Sequence, residues 1–241
     1  MKQVFRLLSF LLLTGIAPVG WSSALPLEEV LANTPELRGD LPQPVTQDGV
    51  SVGERHWYHH ESVAYLDTLA AASPRMVALG PHATSYGGRS LVSYAISSEA
   101  NIDKLQAIKA ARAQIIDPAN TADLTEQPAV MHMMYSIHGN EPSGSNASPL
   151  VAYYLNASLD PAITAQLEDV VIIFNPMLNP DEIDRVARLT NSQRRQVPGP
   201  GANNSENRDT IQNGKTNYYW LEFIRELLPH QHQESHAQNS F

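Results

Sequence analysis

Two short apolar runs, separated by a helical segment, constrain this chain more than any other feature. Residues 129–137 read AVMHMMYSI and residues 170–174 read VVIIF. Polar residues bound both runs, which is typical of strands covered on both faces. The segment Ser145 to Leu159 between them predicts a helix. Together the three segments predict a βαβ unit with parallel strands.

A polar loop follows each of these strands. His138-Gly139-Asn140-Glu141 follows the first, and residues 175–181, NPMLNPD, follow the second. Because parallel strands present functional residues at their carboxyl ends, we expect both loops to line one crevice. The HxxE spacing allows the nitrogen of His138 and the carboxylate of Glu141 to converge on one small cation. The alternative is an ordinary turn with a surface glutamate and a capping histidine.

The preceding part of the chain predicts two further helices and a hairpin. Residues 58–72 carry apolar side chains at helical spacing, and Ser73-Pro74 ends that pattern. Residues 76–79 and 91–96 read as strands on either side of SYGGR, whose glycine pair suits a tight turn. Residues 102–116 predict one helix, ended by Asp117-Pro118.

Composition limits the kinds of function that remain. With 241 residues, 42% of them hydrophobic, the chain can bury one substantial core. It has 16 Lys and Arg against 25 Asp and Glu, and the basic residues are scattered, so nucleic-acid binding is not expected. There is no cysteine, so any metal must be bound by histidine and carboxylate ligands.

The amino terminus predicts export. Lys2 and Arg6 precede the apolar stretch Leu7 to Ile16, and small residues follow, with cleavage expected after Ala24. The apolar stretch is shorter than the roughly 20 residues that span a bilayer, so we expect no stable membrane insertion after residues 1–24 are removed. The mature protein would be periplasmic or secreted.

Two regions follow the predicted signal peptide. Residues 25–52 are rich in proline and lack periodicity, which predicts an irregular lead-in segment. Residues 53–241 are expected to form one main domain.

Several sequence blocks occur in an order that is similar to a known family. From roughly residue 55 to residue 237 they are YHHESVAYLDTLAAAS, SYGGRSLVSYAIS, HGNEPSG, NPMLNPDEIDR, LTNSQRR, GKTNYYWLEFIRELLP and QHQES. Together they resemble the M14 zinc carboxypeptidases. The resemblance implies an α/β fold with a mixed, largely parallel central sheet and helices on both faces, incomplete at the C-terminus.

The resemblance also implies an activity and its residues. It implies zinc-dependent hydrolysis of a C-terminal peptide bond or a related amide, so the substrate would be a peptide or a small amide. His138 and Glu141 would be the first two Zn²⁺ ligands. Arg194 matches the family's oxyanion arginine; the alternative is a solvated basic pair with Arg195. Arg225 matches the arginine that grips the terminal carboxylate, but Ile224 stands where the family has asparagine.

The family's third ligand, a histidine, and its catalytic glutamate are expected beyond Phe241. A second reading is therefore a truncated, catalytically inactive relative that binds zinc or peptide weakly. His230, His232 and His236 offer a substitute ligand set, although a histidine-rich chain end is more typically solvated.

Overall fold

The fold is described from a computed structural model. It describes residues 36–116, 125–194 and 232–239, together with residues 29, 31, 32, 34, 119, 222 and 225. The predicted signal peptide, residues 1–24, lies outside the described residues. None of the described helices is long and apolar enough to cross a membrane.

Helix α1 (His59–Ala72) confirms the first predicted helix. Its first turn is capped by the carboxylate of Glu61, which accepts a hydrogen bond from the N–H of Tyr58 at 2.8 Å. It ends before Pro74, at Ser73, which has an extended backbone. Leu66 and Leu69 on its inner face are fully buried.

Strands β1 (Met76–Thr84) and β2 (Ser90–Ile96) form the predicted antiparallel hairpin. Gly88 takes a positive φ of 79° in the connecting turn, a conformation that glycine adopts without strain. Strand β1 is longer than expected. Its register shifts near Gly80 and again near Pro81, so two irregularities carry the pairing past residues that usually end a strand.

The helix predicted over residues 102–116 is wrong in its continuity. The structure has α2 (Glu99–Asp103), α3 (Leu105–Ala113) and a 3₁₀ turn (Gln114–Ile116), with a break at Lys104. Helix α2 begins before residue 102 because Ser98 caps it. The Oγ of Ser98 accepts a hydrogen bond from the N–H of Asn101.

The βαβ unit is confirmed. Strand β3 (Ala129–Met134) leads to α4 (Ser143–Ala157) and α5 (Pro161–Asp169), and the chain returns through β4 (Val170–Asn175), which pairs with β3 in parallel. The four strands lie in the order β1-β2-β4-β3, and β2 pairs with β4 antiparallel. The expected mixed α/β fold is therefore confirmed, and one of the three described strand pairings is parallel.

Helices cover both faces of this sheet, as expected. Alternate side chains of β4 point to opposite faces. On one face, Phe174 belongs to a core shared with α1 and α4; on the other, Val171 packs with Ile108 of α3. Leu41, in the predicted lead-in segment, is 5% exposed and belongs to the first core.

The expectation that β3 is covered on both faces is wrong within the described part of the chain. Val130, Met131 and Met134 are 40%, 50% and 53% exposed. Strand β3 lies at the end of the sheet order, so it pairs with one described neighbour. An apolar run is compatible with a central or an edge strand, and the strand order decides which one forms.

Three helices were not predicted from the sequence: α5, described above, and two that follow β4. Helix α6 (Pro180–Gln193) follows the loop after β4 and begins at Asn179, whose side chain accepts a hydrogen bond from the N–H of Glu182. Proline at its first position suits a helix start. The short helix α7 (Gln233–Asn239) contacts β1.

Candidate functional site

The loops after β3 and β4 lie side by side, as the parallel pairing predicts. Beyond the strands, the N–H of Tyr135 donates to the carbonyl of Asn175 at 3.1 Å. The N–H of Leu178 then donates to the carbonyl of Tyr135 at 2.9 Å. These bonds hold residues 176–179 against the segment that leads into residues 138–141. We call residues 138–141 the metal loop.

The metal loop brings His138 and Glu141 onto one turn. The N–H of Glu141 donates to the carbonyl of His138 at 3.2 Å. His138 is 6% exposed, and its Nδ1 is buried with no hydrogen-bond partner among the described residues. Glu141 is exposed. A buried ring nitrogen without a partner and a nearby carboxylate provide the donor types that zinc prefers.

Zinc at a catalytic site usually has three protein ligands. Within residues 36–116, 125–194 and the other described positions, no group of three or more histidine, aspartate and glutamate side chains could hold a metal ion. His138 and Glu141 offer a nitrogen and an oxygen donor, which are two of the donors that such a ligand set needs.

Ser136 fixes the entry to the metal loop. Its hydroxyl donates to the carbonyl of Glu141 at 3.1 Å and accepts from the N–H of Ser145, in α4, at 2.8 Å. Its φ is 45°, a left-handed conformation that is uncommon for a residue with a side chain. Strain of this kind persists where surrounding contacts impose it, and it is concentrated at functional sites.

The first turn of α6 packs against the metal loop. The carboxylate of Glu182 accepts a hydrogen bond from the N–H of Gly139 at 2.9 Å. Glu182 is 0% exposed. Burial raises the pKa of its carboxyl to about 7, against the smaller lowering effects of the Gly139 N–H and the Arg185 charge.

A cluster of charged residues joins the same helix turn to the β1–β2 turn. Arg89 donates to Asp181 at 2.9 Å and to Asp184 at 2.6 Å. The other oxygen of Asp181 accepts from the N–H of Gly87 at 2.8 Å. His59 is buried: its backbone N–H donates to Asp184, and its Nε2 contacts the carbonyl of Ser90 at 2.7 Å.

Arg194, the candidate oxyanion arginine, caps the C-terminus of α6. Burial lowers the pKa of the His56 imidazole, and the positive charge of Arg194 lowers it further. The side chain of Asn191 brackets the His56 backbone, accepting from its N–H at 3.2 Å and donating to its carbonyl at 2.9 Å. Asn146 of α4 contacts the His56 ring. Sequence reasoning did not single out His56, because these contacts link distant parts of the chain.

The candidate carboxylate-binding arginine lies in a segment of which little is described. Arg225 is 77% exposed in its side chain and pairs with Glu222 at 3.3 Å. Ile224 and His230 lie outside the described residues. His232 contacts the hydroxyl of Tyr86 through Nδ1 at 3.0 Å, and His236 lies in α7.

The fold and the two loops define a class: an α/β protein with a histidine and a carboxylate on one turn at the end of a parallel strand pair. The chain belongs to the M14 family of zinc carboxypeptidases, whose family profile, described as zinc carboxypeptidase, matches residues 62–235. No curated protein matches the chain.

Two solved structures are similar. One is the crystal structure of the carboxypeptidase A from Helicoverpa armigera, with 23% identity and a TM-score of 0.40 over 57% of this chain and 28% of that one. The other is the crystal structure of a metallo-carboxypeptidase from Burkholderia cenocepacia, with 13% identity and a TM-score of 0.47 over 78% of this chain and 37% of that one. The chain thus matches well under half the length of either structure.

Proposed function

We propose that this chain carries part of the site of a zinc-dependent metallocarboxypeptidase that hydrolyses C-terminal peptide bonds outside the cytoplasm. Family membership supports the hydrolase class. The observation that carries the proposal is the turn that holds His138 and Glu141, with the buried Nδ1 of His138 lacking a partner among the described residues.

Each candidate residue has a distinct role in this proposal. His138 and Glu141 would hold Zn²⁺, which would supply a Lewis acid that activates water for attack. Arg194 donates hydrogen bonds to the oxyanion that develops on the scissile carbonyl. Arg225 binds the substrate's terminal carboxylate through its planar fork, exchanging its present partner Glu222 for the substrate.

Zinc binding is the first test. Calorimetric titration of the purified chain with ZnCl₂ is expected to show one site that His138→Ala and Glu141→Gln each weaken by tenfold or more. His60→Ala is the matched control, because His60 is an exposed histidine on α1, and this variant should bind zinc as the parent does. Equal binding by all four proteins would refute the assignment of the ligands.

Turnover is the second test. An active enzyme would release the last residue from an N-blocked dipeptide in a zinc-dependent way, would not cleave the same dipeptide with an amidated C-terminus, and would lose activity in Arg194→Ala. Zinc binding without turnover would instead support the second reading, an inactive relative that binds zinc or peptide.

Mass spectrometry of the protein recovered from the periplasm would test the predicted cleavage after Ala24.

A further inference from the structure

The metal loop approaches helix α6 closely at Gly139. The N–H of Gly139 donates to Oε2 of Glu182 at 2.9 Å. A Cβ atom added to Gly139 would lie 2.5 Å from the backbone carbon, the carbonyl oxygen and the Cβ of Glu182. Because real Cβ atoms do not approach other atoms so closely, glycine is required for the loop to rest on this helix turn.

Helix capping does not account for the position of the Glu182 carboxylate. Its own N–H bonds to the side chain of Asn179, which caps the helix. A glutamate three residues after the cap usually returns its carboxylate to the N–H of the cap residue. Here the carboxylate bonds to the N–H of Gly139 instead, while its second oxygen lies 4.0 Å from the Arg185 guanidinium and has no hydrogen-bond partner among the described residues.

Burying this carboxyl completely is costly, and the one hydrogen bond that it makes in the described part of the chain is to the metal loop rather than to its own helix. The bond is made next to His138 and two residues before Glu141. Ser136 holds the Glu141 end of the metal loop and the first turn of α4, and Glu182 holds the middle of the loop. The backbone between the two candidate ligands is therefore fixed from both sides.

We propose that Glu182 is a positioning residue that fixes the metal loop so that His138 and Glu141 face the same cation. This inference rests on the proposed function, and it adds a residue that binds neither metal nor substrate. Partners that orient metal ligands contribute strongly to affinity, and their loss typically weakens metal binding by about 10-fold to 100-fold.

The neighbouring residue provides a matched comparison. Asp181 is also buried, at 7% exposed, and lies in the same helix turn. Its carboxylate bonds to Gly87 and Ser85 of the β1–β2 turn and to Arg89, and among the described residues it makes no hydrogen bond to the metal loop. Variants at 181 and 182 thus remove similar carboxylates but release different loops.

The experiment compares Glu182→Ala, Glu182→Gln and Asp181→Asn with the parent chain. Hydrogen exchange in peptides covering residues 136–144 reports the loop, and calorimetric titration with ZnCl₂ reports the site. We expect Glu182→Ala to speed exchange of the Gly139 amide and to weaken zinc binding by about tenfold or more. Glu182→Gln retains a neutral hydrogen-bond acceptor, so its exchange rate at Gly139 and its zinc affinity should lie between those of the parent and of Glu182→Ala. Asp181→Asn should leave both within about twofold while speeding exchange in residues 85–89.

The two possible failures are separable. If the parent chain binds zinc and Glu182→Ala binds it equally, with unchanged exchange at residues 136–144, the positioning role is refuted and the proposed function stands. If the parent binds no zinc, the proposed function fails, and the exchange of the Gly139 amide still decides whether Glu182 fixes the loop. Should Glu182→Ala fail to fold, Glu182→Gln against Asp181→Asn gives the same decision.

Discussion

Arg89 and Asp181 lie 92 residues apart in sequence, and their side chains form an ion pair of 2.9 Å that joins the β1–β2 turn to the start of helix α6. The same guanidinium bonds to Asp184 at 2.6 Å. The side chains of Asp181 and Asp184 are 4% and 11% exposed, so Arg89 compensates two carboxylates that solvent barely reaches. Helix α6 thereby connects this turn with the metal loop.

Replacing this arginine should strongly destabilise the fold. Arg89→Met keeps the side-chain length but leaves two buried carboxylates without their cation, and breaking such a pair costs about 3–5 kcal/mol. Urea unfolding followed by circular dichroism measures the effect. Arg38→Met is the control, because Arg38 pairs with Asp40, whose side chain is 65% exposed, and the loss there should be much smaller. Equal losses of unfolding free energy in the two variants would show that the Arg89 ion pairs contribute no more than the exposed Arg38 pair.

A line of polar side chains, one from each strand, crosses the face of the sheet that packs against α3. The members are His82, Ser93, Asn175 and His132. Asn175 is 2% exposed; its amide nitrogen donates to Ser93 at 2.6 Å, and its oxygen accepts from His132.

Breaking this line at its centre should be costly. Asn175→Leu removes the shared partner of Ser93 and His132, so we expect a loss of about 1–3 kcal/mol in the free energy of unfolding. Ile173→Leu, on the same strand and face, preserves volume and should cost less. A smaller loss for Asn175→Leu than for Ile173→Leu, in the same urea titration, would contradict the role assigned to the line.

The raised pKa of Glu182 predicts a pH dependence of stability. The folded protein keeps this proton up to about pH 7, whereas the unfolded chain releases it near the ordinary value of 4.5. The folded state therefore binds more protons between these values, and the free energy of unfolding should fall as the pH rises through this window, by about 1–3 kcal/mol. Unfolding with a chelator present, from pH 4.5 to pH 8, measures it. Glu182→Gln should flatten the profile relative to the parent, and an unchanged slope would refute the assignment.

The exposed face and edge of β3 predict self-association. Met131 is 50% exposed on a strand with no charged residue and with one described neighbour, and such edges pair with other chains. Met131→Lys should lower the apparent mass at high protein concentration, measured by light scattering after size exclusion. Leu159→Lys, which changes an exposed apolar residue outside the strands, is the control. A parent chain that is monomeric throughout would contradict the prediction.

Sequence patterns predicted the parts of the site that depend on neighbours along the chain. The succession of apolar strand, HGNE and helix placed His138 and Glu141 on a turn at the end of a strand, and the structure has them there. The start of helix α6 also has a sequence pattern that predicts it. Asn179 is a favoured cap residue, and Pro180 is a favoured first residue of a helix. This pattern places Glu182 in the first turn of the helix, while its contact with the metal loop depends on tertiary packing.

The sequence alone determined the βαβ unit, the hairpin and the positions of the candidate ligands, because hydrophobic periodicity, turn residues and short spacings act over a few residues. The tertiary structure decided the rest. It decided that β3 lies at the edge of the described sheet, that Arg89 neutralises Asp181, and that Glu182 supports Gly139. These relationships join residues between 43 and 92 positions apart, and such contacts depend on how the elements pack in three dimensions, which local sequence patterns do not specify.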